Sequence, residues 1–154
     1  MTDVFISYAS QDRDQVARIV RHLQSSGWRV WWDRAIEPGE SWTEEIEGKL
    51  SQARCVVVIW SPNSVNSTWV RLEANKARER RVLIPVNMGD VTVPPEFGPY
   101  QAVLLNNDNQ TEAFESIEHS VRRMVIAGRR RLFGMAALAA TLVLAIGLGI
   151  GCTF

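Results

Sequence analysis

The chain has 154 residues, enough for one globular domain with an appendage but too few for two full-sized domains. Its 17 Lys and Arg residues balance 17 Asp and Glu residues, so no overall positive charge indicates nucleic acid as a partner. The two cysteines, Cys55 and Cys152, have no metal-binding spacing and cannot build a disulfide framework. They favour a reducing, intracellular setting, and we predict no metal site.

Apolar patterns predict strands that alternate with amphipathic helices along most of the chain. The predicted strands cover residues 4–8, 28–32, 55–60, 82–86 and 101–105. The predicted helices cover residues 12–24, the segment behind a capping box at 41–44, residues 68–80 and residues 111–127. This alternation predicts an α/β fold in which a parallel sheet is flanked by helices.

Three residues carry more specific structural predictions. Ser67 precedes a helical pattern and is expected to cap its N-terminus. Pro85 lies inside a predicted strand, which indicates an edge or strand-end position because proline cannot donate to a ladder. Cys55 opens the continuous apolar run 55–60 and is expected to behave as a small buried hydrophobe in a central strand.

The C-terminal segment is the most apolar part of the chain. Residues 132–154 carry no charge, and as a helix they are long enough to cross about 30 Å of hydrocarbon. A cluster of five arginines within residues 122–131 precedes this segment, so the positive-inside rule keeps the globular part in the cytoplasm. We predict a domain at 1–127, a short basic linker at 128–131 and a single transmembrane helix at 132–154, with no signal peptide before the domain.

Trp69 and Glu73 are the first candidates for a functional site. They lie four residues apart on the predicted helix that follows the buried strand 55–60, so one helical face presents both side chains. Ligands of open α/β sheets bind beyond the carboxyl ends of the strands, where this helix begins. The alternative is that Glu73 is an ordinary solvated residue and Trp69 a core aromatic.

Four sequence blocks, in this order, resemble the Toll/interleukin receptor (TIR) domain family over about residues 3–123. The blocks are Asp3-Val4-Phe5-Ile6-Ser7-Tyr8, then Trp31-Trp32-Asp33-Arg34 with Pro38-Gly39 and Ser41-Trp42, then Val57-Val58-Ile59-Trp60-Ser61-Pro62, and finally Ser67-Thr68-Trp69 with Glu73. The resemblance implies a flavodoxin-like sheet of five parallel strands and a bacterial type of TIR domain.

The resemblance implies one of two functions. Many bacterial and plant TIR domains resemble NAD⁺ glycohydrolases that need a glutamate in a Trp-x-x-x-Glu arrangement on the third helix, which falls here on Trp69 and Glu73. Others are non-catalytic modules that self-associate or recruit further TIR proteins, here through the loop 34–41. In the first case the chain is expected to be a membrane-tethered enzyme that cleaves NAD⁺, as a substrate and without any cofactor, when its TIR domains cluster. In both cases the expected partners are further copies of the TIR domain, other TIR proteins and membrane lipid, in signalling or antiviral innate immunity.

A single carboxylate suits the cleavage of NAD⁺. Nicotinamide leaves as a neutral ring, so no general acid is needed, and positive charge develops on the ribose as an oxocarbenium ion. The carboxylate of Glu73 can stabilise that cation, and the indole of Trp69 can pack on the cationic pyridinium ring. We therefore predict Glu73 as the catalytic residue.

Further substrate contacts are expected at the carboxyl edge of the predicted sheet. The predicted substrate-binding residues are Trp69, Asp33, Ser7, Tyr8, Arg34 and Trp42. The resemblance departs at Ala9-Ser10, where some active members carry basic residues, so Arg13 or Arg34 is the candidate for phosphate contacts.

Overall fold

A computed structural model of the chain describes residues 2–32 and 44–128. Within these residues a five-stranded sheet has the order β2-β1-β3-β4-β5, and every neighbouring pair of strands is parallel. The strands are β1 (Val4–Ser7), β2 (Val30–Trp31), β3 (Cys55–Trp60), β4 (Leu83–Met88) and β5 (Val103–Leu105). The helices are α1 (Arg13–Ser25), α2 (Glu44–Gln52), α3 (Thr68–Glu79) and α4 (residues 110–128), with 3-10 turns at Ser10–Asp12 and Pro95–Phe97. The predicted parallel α/β fold is confirmed.

Two hydrophobic clusters cover the two faces of the sheet. Successive residues of a strand point to opposite faces, so Ile6 packs toward α1 and α4 while Phe5 packs toward α2 and α3. All six residues of β3 are buried, which confirms the prediction of a central strand covered on both faces. The side of the sheet that carries α2 and α3 is the side on which Glu73 lies.

Both ends of α3 are held by hydrogen bonds. Ser67 has an extended backbone, and its side chain accepts a hydrogen bond from the Val70 amide at 3.3 Å, which confirms the predicted N-cap. Just beyond the helix, the Arg80 guanidinium donates to the carbonyl oxygens of Leu50 at 2.6 Å and Ala53 at 2.7 Å. These bonds fix α3 against the C-terminal end of α2, and they therefore hold the buried residues of α3 in place.

Pro85 lies inside the sheet, so the predicted edge or strand-end position is wrong. β4 has β3 on one side and β5 on the other. The Val82 carbonyl oxygen accepts a hydrogen bond from the Val56 amide on β3. The backbone groups of successive residues in a strand point alternately to the two neighbouring strands, so Pro85, three residues after Val82, turns its nitrogen toward β5. Because β5 pairs with β4 only from Val86 onward, the absent N–H of Pro85 costs no ladder hydrogen bond.

Asp3 ties three strands together at the amino end of the sheet. Its carboxylate accepts from the Arg29 guanidinium at 2.9 and 3.0 Å, and its carbonyl oxygen accepts from the Cys55 amide at 3.1 Å. The hydrogen bond from Arg29 holds the pKa of Asp3 below its usual value, while burial acts in the opposite direction.

We expect Asp3→Asn to lower the free energy of unfolding at pH 7 by about 1–3 kcal/mol, because a charge-assisted bidentate pair is lost. Since the pKa of Asp3 is lower in the folded state, this contribution is present above its unfolded pKa of 3.8 and disappears as the pH falls through the folded value. Urea denaturation of the wild-type chain and of Asp3→Asn should therefore show a difference in the free energy of unfolding at pH 7 that disappears in strong acid. A difference that stays constant over this range would contradict the assignment.

The structure does not reach the predicted membrane segment. Within the described residues, no helix combines the length and the hydrophobicity that a membrane span requires. Residues 132–154 and all of the predicted linker except Gly128 lie outside the described residues. The predicted domain bounds therefore stay predictions.

Candidate functional site

Glu73 lies in the interior of the protein, between α3 and the end of β1. The hydroxyl of Ser7 donates a hydrogen bond to Oε2 of Glu73, and both side chains have 0% of their surface exposed. Ser7 is the last residue of β1, so the pair lies at the carboxyl edge of the sheet. Glutamate is almost never fully buried unless it is paired, and this position therefore differs from that of a solvated helix residue.

Trp69 precedes Glu73 by one helical turn and lies on the same side of α3. Its ring is half-buried and packs against the hydrophobic cluster that includes Phe5 and Val58. Residues four apart on a helix are neighbours, so Trp69 adjoins the position of the carboxylate. The structure thus brings three of the predicted site residues, Ser7, Trp69 and Glu73, to one region.

Tyr8 and Arg13 lie on the other side of the same edge. Tyr8 is 4% exposed and packs in the cluster beneath α1, with its ring centroid 6.1 Å from that of Trp32. The Arg13 guanidinium lies 4.8 Å from the centroid of a Trp32 ring, a cation–π distance. Arg13 therefore lies at the end of β2, and its predicted phosphate contact stays a prediction.

The remaining predicted site residues lie outside the described residues. They are Asp33, Arg34 and Trp42, together with the rest of the loop 34–41. Their predicted contacts with substrate, and the role of the loop in recruiting TIR proteins, stay predictions.

A buried polar network next to the site was missed in the sequence. The Asp12 carboxylate accepts hydrogen bonds from the Ser61 hydroxyl and from Nδ2 of Asn63, the latter at 2.7 Å. Ser64 extends the network, because its hydroxyl donates to the Ile59 carbonyl at 2.6 Å and accepts from the Ser61 amide at 2.8 Å. The network joins the turn after β1 to the turn after β3, and so holds the two segments that carry Ser7 and Glu73. The signal was the run Ser61-Pro62-Asn63-Ser64, three polar residues and a proline directly after a buried strand.

A separate cavity of about 380 Å³ opens beside this network. Asp12, Arg18 and Ser61 line one part of it, while Asn106, Gln110 and Phe114 line another. Its size falls in the range of small-molecule pockets, so it is a second place at the carboxyl edge where a ligand could bind.

Cys55 offers no nucleophile. Burial raises the pKa of its thiol to about 12, and the nearby charge of Asp3 acts in the same direction. The thiol therefore stays protonated at neutral pH, in agreement with the prediction that Cys55 is a small buried hydrophobe.

The chemistry that the paired Ser7 and Glu73 can offer is that of a fixed, buried carboxyl group.

Several curated proteins are similar to parts of this chain. The chain is 36% identical over 91 residues to the 2' cyclic ADP-D-ribose synthase BtTIR of Bacteroides thetaiotaomicron, a match that covers 54% of this chain and 32% of that protein. It is 40% identical over 73 residues to the NAD(+) hydrolase TirS of Staphylococcus aureus, covering 46% of this chain and 26% of that protein. The chain thus spans about a third or less of the length of these relatives.

Solved structures share the fold. The TIR domain of a Toll-related receptor from Hydra magnipapillata superposes with a TM-score of 0.68 at 20% identity, over 79% of this chain and 99% of that chain. At that identity the likeness shows the fold alone. A TIR-STING receptor from C. gigas superposes with a TM-score of 0.63 at 25% identity, over 77% of this chain and 38% of that chain.

The family itself follows from a match along the domain. The family model for the TIR domain matches residues 4–119, which include all five strands of the sheet and both members of the Ser7–Glu73 pair. The strand order and the position of Glu73 at the carboxyl edge agree with the fold that the resemblance implied. This chain belongs to the TIR domain family.

Proposed function

We propose that this protein is a membrane-tethered NAD⁺ glycohydrolase that cleaves the bond between nicotinamide and ribose when its TIR domains cluster. The observation that carries the proposal is the buried carboxyl group of Glu73, held by the hydroxyl of Ser7 at the carboxyl edge of the sheet. Bacterial relatives named as an NAD(+) hydrolase and as a 2' cyclic ADP-D-ribose synthase support this reaction class.

The proposed reaction needs little from the protein beyond position and charge. The bond from C1' of the ribose to the pyridinium nitrogen breaks, and its electron pair stays on the nitrogen of the departing nicotinamide. The carboxylate of Glu73 stabilises the oxocarbenium ion that remains. A water oxygen, or a hydroxyl of the same ADP-ribose, then bonds to C1' and releases its proton. The face of Trp69 packs on the pyridinium before cleavage, with Asp33, Arg34 and Trp42 as further contacts.

Access to Glu73 explains why clustering would control this reaction. The side chain has no exposed surface, so NAD⁺ reaches it only when neighbouring groups move. We propose that contacts between TIR domains supply that movement. Contacts between TIR domains that are stronger in the open arrangement would increase the fraction of molecules in that arrangement, by an amount set by the difference in contact free energy between the two states.

The C-terminal segment gives the proposed means of clustering. Residues 132–154 would form a single transmembrane anchor, and the arginines before it would hold the TIR domain at the cytoplasmic surface. Confining the domains to one surface raises their effective concentration without any new contact in the domain itself. The setting would be signalling or antiviral defence.

The proposal is tested by nicotinamide release from the full chain in lipid vesicles at increasing surface density. We expect turnover per molecule to rise with density, and a chain without residues 132–154 to show far lower turnover at the same bulk concentration. Turnover that is independent of density would contradict control by clustering. Absence of nicotinamide release at every density would favour the alternative, a non-catalytic module for contacts between TIR domains.

A further inference from the structure

We infer that Ser7 is a positioning residue that acts through Glu73, rather than the substrate contact that its place in the sequence suggests. This inference rests on the proposed cleavage of NAD⁺. The hydroxyl of Ser7 points at Oε2 of Glu73 and has no exposed surface. A hydroxyl that donates its proton to the carboxylate has no second proton to offer a ribose.

The two ends of this hydrogen bond belong to elements that are fixed independently. Ser7 lies in β1, which pairs with β2 on one side and with β3 on the other, where Ser7 is opposite Val58. Glu73 lies in α3, whose two ends are tied by Ser67 and Arg80. The hydrogen bond therefore transfers the rigidity of the sheet to the carboxyl group on the helix.

Rigidity matters because stabilisation of a short-lived cation depends on a carboxylate that is already in place. Hydrogen bonds to a charged group are among the strong ones in proteins. Loss of this bond removes one restraint on the rotamer of Glu73, so fewer molecules hold the productive arrangement at any moment. We therefore expect an effect on kcat and little effect on KM, because Ser7 does not touch NAD⁺.

Threonine and valine form a matched pair for this test. Both are β-branched and similar in shape, and both suit a strand, but only threonine keeps the hydroxyl. Ser7→Thr and Ser7→Val add similar volume to a fully buried position, so any cost of overpacking is shared. The difference between the two variants isolates the hydrogen bond to Glu73.

The experiment measures kcat and KM for nicotinamide release by the full chain in vesicles, for both variants, with Ser116→Ala at an exposed position of α4 as a control. We expect kcat of Ser7→Val to be roughly ten- to hundredfold below that of Ser7→Thr, with KM within about threefold. In a Glu73→Gln background the same pair should differ by less than about threefold, because a residue that acts only through Glu73 loses its effect there.

Four results would overturn the inference. If the wild-type chain cleaves NAD⁺ but Ser7→Thr and Ser7→Val have equal kcat, the inference fails and the proposed function stands. If Ser7→Val raises KM alone, or raises turnover at low surface density, Ser7 is a substrate contact or a restraint instead. If the wild-type chain releases no nicotinamide at any density, the proposed function fails and the inference fails with it.

Discussion

Replacement of Glu73 by glutamine should lower kcat for nicotinamide release by about 10²- to 10³-fold, the usual cost of removing one electrostatic contact to a transition state. Glutamine has nearly the size of glutamate, and its carbonyl oxygen can still accept the hydrogen bond from Ser7. The fold is therefore retained while the charge that stabilises the ribose cation is lost.

Glu79→Gln is the matched control for this variant. It removes the same charge from the same helix, α3, but at an exposed position near the C-terminal end. We expect its kcat to equal that of the wild-type chain, and all three proteins to unfold at similar temperatures. Equal turnover by Glu73→Gln and the wild-type chain would remove Glu73 from the mechanism.

Replacement of Trp60 by alanine should lower the free energy of unfolding by about 3–5 kcal/mol, a large part of the 5–15 kcal/mol typical of a domain. Trp60 ends β3, has 0% of its surface exposed and is the largest fully buried side chain of the described residues. Its ring centroid lies 5.0 Å from that of Phe97, so its loss leaves a cavity between the sheet and the turn Pro95–Phe97.

Two further variants complete this test, which uses chemical denaturation of the full chain in a mild detergent, followed by circular dichroism. Trp60→Phe should cost less than half as much as Trp60→Ala, because the aromatic ring is kept and the indole N–H has no hydrogen-bond partner among the described residues. Leu104→Ala removes an apolar side chain that is 62% exposed and should change stability by less than about 1 kcal/mol. A loss for Trp60→Ala no greater than that for Leu104→Ala would contradict the packing account.

Local patterns were sufficient to predict the elements that position the site. The apolar run Cys55–Trp60 forms a buried strand because no polar side chain interrupts it, and Ser67 caps α3 because its hydroxyl reaches the amide three residues later. Both depend on residues that are close in the sequence. Pro85 was misplaced for the opposite reason, since its tolerance depends on where β5 begins, which lies in a different segment.

The pairings at the site could not be predicted, because each one joins distant parts of the chain. Ser7 and Glu73 are 66 positions apart, and Asp12 and Ser61 are 49 apart. The spacing of Trp69 and Glu73 predicts a shared helix face. The hydrogen-bond partner of the Glu73 carboxyl group, however, depends on which residues of β1 face α3 once the sheet has formed. The sequence predicts Ser7 as a substrate contact, and only the structure shows that its hydroxyl is hydrogen-bonded to Glu73.

The most direct test of the account is a structure of the full chain bound to an NAD⁺ analogue in which carbon replaces the ring oxygen of the nicotinamide ribose, so that no oxocarbenium ion can form. The account predicts a Glu73 carboxylate oxygen within about 3 Å of that ribose. An analogue seated in the cavity beside Asp12 and Arg18, with Glu73 still fully buried and out of contact with the ribose, would contradict it.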